Sequence, residues 1–123
     1  MVRTHKDLDV WKKGVAFVTE IYSVTNAFPK LELYGLISQI RRAAISIPSN
    51  IAEGATRRNN KEFLQFLYIS LSSAAEVDTQ LIISHNLKFI DDENLKQLQG
   101  ELNIISKMIQ GLIRSIKKKT KSI

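Results

Sequence analysis

A chain of 123 residues, 44% of them hydrophobic, has room for one domain around one core. It contains no cysteine, which excludes disulfides, thiolate nucleophiles and cysteine-bound metals. The net charge is +6, and the excess falls entirely after Glu101, where Lys107, Arg114, Lys117, Lys118, Lys119 and Lys121 follow with no acid among them.

The first helix is expected over residues 8–27, with Asp7 or Asp9 as its cap. Leu8, Trp11, Val15, Val18 and Tyr22 form one apolar stripe at helical spacing. A second stripe, Val10, Gly14, Phe17, Ile21, Val24 and Phe28, lies about 100° around the helix. One stripe suffices for a bundle core, so the second is expected to meet another helix or another subunit. Phe28-Pro29 then ends the element, because the residue before a proline avoids helical dihedrals.

The second helix is expected over 32–55. Ile40, Ala44, Ile47 and Ile51 share a face, and Pro48 interrupts it, which predicts a kink where the carbonyl of Ala44 loses its donor. Asn50 is a candidate to satisfy that carbonyl, and Trp11 to pack over the kink. Gly54 stands where the helix can end, and Glu53 stands four residues before Arg57 as a helical ion pair.

The third helix is expected over 60–87, capped by Asn59 or Asn60, with Phe63, Phe66, Leu67, Leu71, Ala74, Ala75, Asp78, Leu81 and Ile82 inward and Ser70, Ser72 and Ser73 allowing a close neighbour. The fourth is expected over 92–117, capped by Asp91 or Asp92, on the stripe Leu95, Leu98, Leu102, Ile105, Ile109, Leu112 and Ile116. Gly100 and Gly111 suggest close contacts there. The basic tail 117–123 is expected to be disordered.

Short connections between four amphipathic helices predict an all-α fold: an antiparallel up-down-up-down four-helix bundle, helix 2 kinked at Pro48, in a single domain spanning 1–123. Facing residues of the second and third helices should then carry numbers summing to roughly 117, which sets Arg41 level with Glu76 and suggests an ion pair between them. Pro48, Asn50 and Glu53 thus read as a satisfied structural network rather than as catalytic groups.

The same topology gathers Lys12, Lys13, Arg57, Arg58, Lys61, Arg114, Lys117, Lys118, Lys119 and Lys121 toward one end, a candidate contact for nucleic-acid phosphates. The plain alternative for the last residues is that lysines favour the negative end of a helix and keep the chain soluble. No enzyme is expected. The two histidines, His5 and His85, fall at opposite ends of the bundle, and neither a metal-binding histidine pair nor a phosphate loop is present in the sequence. No metal or cofactor is implied. No apolar run is long enough to span a membrane, and the charged opening Met-Val-Arg-Thr-His-Lys-Asp is unlike a secretory signal, so a cytoplasmic protein is expected.

The segment Ser46-Ile47-Pro48-Ser49-Asn50-Ile51-Ala52-Glu53-Gly54, preceded by Arg41-Arg42-Ala43-Ala44, resembles the four-helix-bundle family of proteins encoded in intervening sequences of 23S ribosomal RNA genes. The opening Asp7-Leu8-Asp9-Val10-Trp11 and the run Ala75-Glu76-Val77-Asp78-Thr79-Gln80-Leu81 are similar to the family pattern as well. The resemblance implies a bacterial protein, a four-helix bundle and a ring-like homopentamer. A related member, the accessory protein of diversity-generating retroelements, binds nucleic acid and a reverse transcriptase, which suggests these as partner classes. The family supplies no catalytic residues.

The expected function is therefore a non-enzymatic homo-oligomer that holds structured RNA or an RNA–DNA hybrid by its phosphate backbone. The competing expectation is an adaptor that binds another protein through the bundle surface and has no nucleic-acid role.

Overall fold

The computed structural model describes residues 4–121, apart from the side chains of Asp7 and Lys121. Four helices occupy Asp9–Thr25 (α1), Leu36–Ala55 (α2), Asn60–Asn86 (α3) and Asp92–Lys121 (α4), with single 3₁₀ turns at His5–Asp7 and Lys30–Glu32 and no strand among the described residues. Successive helices pair rising residue numbers with falling ones. Gly14 lies against Pro48, and Arg41 bonds Thr25. Gly54 lies against Phe63, and the Ser70 hydroxyl donates to the Ile47 carbonyl at 2.8 Å. Gln99 donates to Asp78 at 3.0 Å, and Asn60 donates to Thr120 at 3.3 Å.

The ends of the helices follow local chemistry. Asp9 opens α1 without capping it, since Leu8 holds the cap position and no side chain bonds there. Its acidic charge still suits the positive end of the helix. The Thr25 hydroxyl folds back onto the Ile21 carbonyl at 2.7 Å, and α1 stops there rather than at residue 27. The second helix begins at Leu36, not at residue 32, because Gly35 takes a non-helical backbone and the Glu32 carboxylate accepts the Leu36 N–H at 3.4 Å. Asn59 caps α3 by accepting the Glu62 N–H at 2.9 Å, and Asp91 caps α4 by accepting the Asn94 N–H at 2.8 Å. Beyond Asn86, Lys88 adopts φ 65°, and the Phe89 N–H reaches back to the Ser84 carbonyl at 2.9 Å, closing the helix end.

Residues 117–121 continue α4 as helix, contrary to the disordered tail expected from sequence. Ile116 is buried, Thr120 bonds both the Ile116 carbonyl and Asn60, and lysines in a last turn favour the helix dipole. The rest of the expected tail, 122–123, lies outside the described residues.

The two stripes of α1 exchange roles. Val10, Gly14, Phe17, Ile21 and Phe28 are buried in the core, whereas Val15 and Tyr22 are about two-fifths exposed and Leu8, Trp11 and Val18 only half-buried. On α3, Leu67, Ala74 and Leu81 are buried as expected, joined by Ser70, Val77 and Ser84, whereas Ala75 and Ile82 are exposed. Small hydroxyl residues can occupy a seam when the hydroxyl is satisfied, and Ser84 donates to the Gln80 carbonyl at 2.7 Å just as Ser70 does to Ile47. On α4, Leu98, Leu102, Ile105, Ile109, Ile113 and Ile116 are buried, with Leu95 and Leu112 at the margin.

Candidate nucleic-acid interface

The Pro48 segment is a packing device. Gly14 of α1 brings bare backbone against the proline ring: a Cβ there would stand 3.3 Å from Pro48 Cβ. Trp11 instead meets His5 edge-on, with ring centroids 5.0 Å apart. Asn50 donates to the carbonyl and hydroxyl of Ser46, at 2.7 and 2.8 Å, and not to Ala44. The Ser46 hydroxyl also receives Ser73 at 2.8 Å, tying α2 to α3. Gly54 is needed for contact rather than for termination. A Cβ would come within 2.8 Å of Phe63 Cδ1 and Phe66 Cβ, and α2 ends one residue later at Ala55.

Arg41 does not reach Glu76. Its Nε donates to Thr25 Oγ1 at 2.9 Å, its Nη2 donates to Asn26 Oδ1 at 3.0 Å, and its guanidinium lies 4.3 Å from the centre of the Tyr22 ring. A cation at the negative end of α1, stacked on an aromatic face, has a better site than an exposed carboxylate offers. Glu76 accepts from Gln80 within its own helix at 3.3 Å.

The hydrogen bond from Asn60 to Thr120 sets the α2–α3 turn beside the end of α4. Arg57, Arg58, Lys61, Arg114, Lys117, Lys118 and Lys119 are all exposed around it. Arg57 pairs with Glu53 at 3.7 Å and lies 4.7 Å from the Phe66 ring centre, so its guanidinium is held against the bundle surface. Lys117 Nζ stands 5.5 Å from the centre of the Tyr68 ring. Lys12 and Lys13 are exposed too, but Lys13 lines the α1–α4 groove beside Glu20 and Glu101, about one helical turn into α1. The side chain of Lys121 lies outside the described residues.

Sequence reasoning did not pick out two features. Tyr68 is 43% exposed among cations, and its spacing of seven from Lys61 was the available signal. Glu20 and Glu101 meet across the α1–α4 groove, a cavity of about 160 Å³ also lined by Phe17, Ile104 and Ile105. Hydrogen bonding to Glu101, then burial and the charge of Glu101, push the Glu20 carboxyl from 4.5 up to about 7. At the other end of the bundle Leu31 and Tyr34 are almost fully exposed, with Leu33, Tyr22 and Ile45 partly so. Among the described residues no three acidic or histidine side chains gather as a metal site, and no helix is long and apolar enough to cross a membrane.

The fold has a solved counterpart. A protein of unknown function from the S23 ribosomal protein family of Bacteroides thetaiotaomicron VPI-5482, known from a 1.70 Å crystal structure, superposes with a TM-score of 0.79 at 23% identity, covering 85% of this chain and 95% of that one. Comparison with curated proteins yields no match. The sequence profile of the 23S rRNA-intervening sequence protein matches residues 6–111, which spans the bundle from the first 3₁₀ turn to the last third of α4. The chain belongs to the 23S rRNA-intervening sequence protein family.

Proposed function

We propose that this protein is a non-enzymatic, homo-oligomeric nucleic-acid-binding bundle whose basic end grips the phosphate backbone of structured RNA or of an RNA–DNA hybrid. The observation that carries the reading is the set of exposed cations, Arg57, Arg58, Lys61, Arg114 and Lys117–Lys119, around the Asn60–Thr120 contact. Cations placed this way neutralise phosphates, release condensed counterions and discriminate little between sequences. Binding should therefore weaken steeply as salt rises. Replacing Arg57, Arg58, Lys117, Lys118 and Lys119 together by glutamate should abolish RNA binding in fluorescence anisotropy at low salt, with circular dichroism checking that the variant stays helical. Unaltered affinity in that variant would refute the reading.

Self-association is proposed through the apolar surface left outside the core, Val15 and Tyr22 on α1 with Leu33, Tyr34 and Ile45. Such a patch exceeds what scattered exposed apolar residues require. Light scattering at micromolar concentration tests it, and a monomer would rule it out. The same patch favours the second reading, an adaptor that docks another protein. That reading requires the purified protein to carry no nucleic acid and to ignore heparin.

A further inference from the structure

Between α3 and α4 runs a groove of about 310 Å³, floored by Leu71, Ala74 and Ala75 from one helix and Leu102 and Ser106 from the other. Asp78 and Gln99, which line it, are joined by a hydrogen bond, and toward the basic end the α3–α4 seam continues past Gln110 to the Asn60–Thr120 contact. On the α3 rim, Lys61, Gln65, Tyr68 and Ser72 are exposed at spacings of four, three and four. On the α4 rim, Lys107, Gln110, Arg114 and Lys117 are exposed at spacings of three, four and three. One rim thus carries three cations and the other presents a single exposed aromatic ring.

The geometry points to the stretch of the α3–α4 seam between this groove and the Asn60–Thr120 contact as a binding site for single-stranded nucleic acid, with Tyr68 as the surface on which an unpaired base stacks and Lys107, Arg114 and Lys117 as its phosphate contacts. The inference rests on the phosphate-binding reading above and adds to it a preference for unpaired strands.

The chemistry of the pair at its centre supports this assignment. Lys117 Nζ rests 5.5 Å from the Tyr68 ring centre, so a cation lies over the ring. An exposed cation–π contact is weak, whereas a base stacked on an aromatic ring is held more strongly and tolerates any sequence. A base can therefore displace the ammonium, which remains within reach of the phosphate of the same nucleotide. A duplex offers no such exchange, because its bases are already stacked on one another and only its phosphates face the protein. Charge complementarity selects a polyanion, and the ring selects one that carries planar bases.

The test compares a fluorescein-labelled oligouridylate with a blunt RNA duplex of equal length, titrated against the full chain, Tyr68→Ala and Tyr68→Phe. The expected result is that Tyr68→Ala weakens oligouridylate binding about tenfold, leaves duplex binding within about twofold, and that Tyr68→Phe matches the unsubstituted protein. Equal losses on both ligands, or no loss on either, would overturn the stacking site while leaving the phosphate reading intact. Competition by polyglutamate as effective as that by oligouridylate would assign the groove to acidic protein segments and overturn it as well. Failure of the unsubstituted protein to bind either RNA would remove both readings together.

Discussion

Where α2 meets α3, Gly54 leaves no room for a Cβ beside Phe63 and Phe66, and Ser70 and Ser73 lock their hydroxyls onto Ile47 and Ser46. Where α1 meets α4, a cavity of about 160 Å³ stands open, Ile104 is half exposed, and two glutamates share the gap. Of the neighbouring helix pairs, α2–α3 has the most extensive contact and α1–α4 the least. The first seam is closed by small residues whose polar groups are all answered within the protein. The second is closed by nothing of the kind, and Glu101 Oε2 is buried there without a partner. A bundle of this size can thus keep a tight half that specifies register and a loose half that is free to respond to its surroundings.

Truncation of the core should expose that contrast most strongly. Ile47→Ala, at a fully buried position in the tight seam, should cost about 2–5 kcal/mol in a urea titration. Ile104→Ala, on the open seam, should cost no more than about 0.5 kcal/mol. Similar losses at the two sites would show that the α1–α4 groove is packed as well as the other. The glycines provide the next step down. Gly54→Ala should destabilise by about 1–3 kcal/mol, because the added methyl meets the Phe66 Cβ rather than the movable end of a side chain. Gly100→Ala, where a Cβ would meet nothing within 4 Å, should stabilise by up to about 1 kcal/mol through helix propensity alone.

Those two glycines also show how far the sequence could be read. The helical repeats are local and strong, so the four elements and their order were legible, and the Asn59 and Asp91 caps with them. Which of two stripes faces inward was not. On α1 the stripe with Trp11 and Tyr22 is the outer one, because Gly14 must lie against Pro48 and carries Phe17 and Ile21 inward with it. On α3 serines take the core because their hydroxyls find carbonyls in α2 or one turn back, and that complementarity is a property of two helices at once. The same reasoning explains Arg41. Level with Glu76 by register, it turns instead to the end of α1, where three acceptors and an aromatic face converge. That the α2–α3 turn, with Arg57, Arg58 and Lys61, lies beside the end of α4 was legible from topology alone, since it needs only the order of the helices. Tyr68 was not, because its significance lies in the lysine opposite it on α4.

The last prediction tests the loose seam through its protons. Glu20 is raised from 4.5 to about 7 because it shares a hydrogen bond with Glu101, is partly desolvated, and faces a second negative charge. The folded state therefore holds its proton more tightly than the unfolded chain does. This contribution to stability is fully present below about pH 4.5 and disappears as pH rises through about 7. Glu20 is only partly buried, so solvent screens the interaction, and the change across the window should be about 1 kcal/mol rather than the full value of the shift. Glu20→Gln keeps a donor toward Glu101 at every pH. Relative to the unsubstituted protein, its urea midpoint should therefore rise between pH 4.5 and pH 8.5, with the gain concentrated near neutrality. Parallel stability curves for the two proteins would mean that the carboxylates do not interact in solution, and that the α1–α4 seam is loose without being responsive.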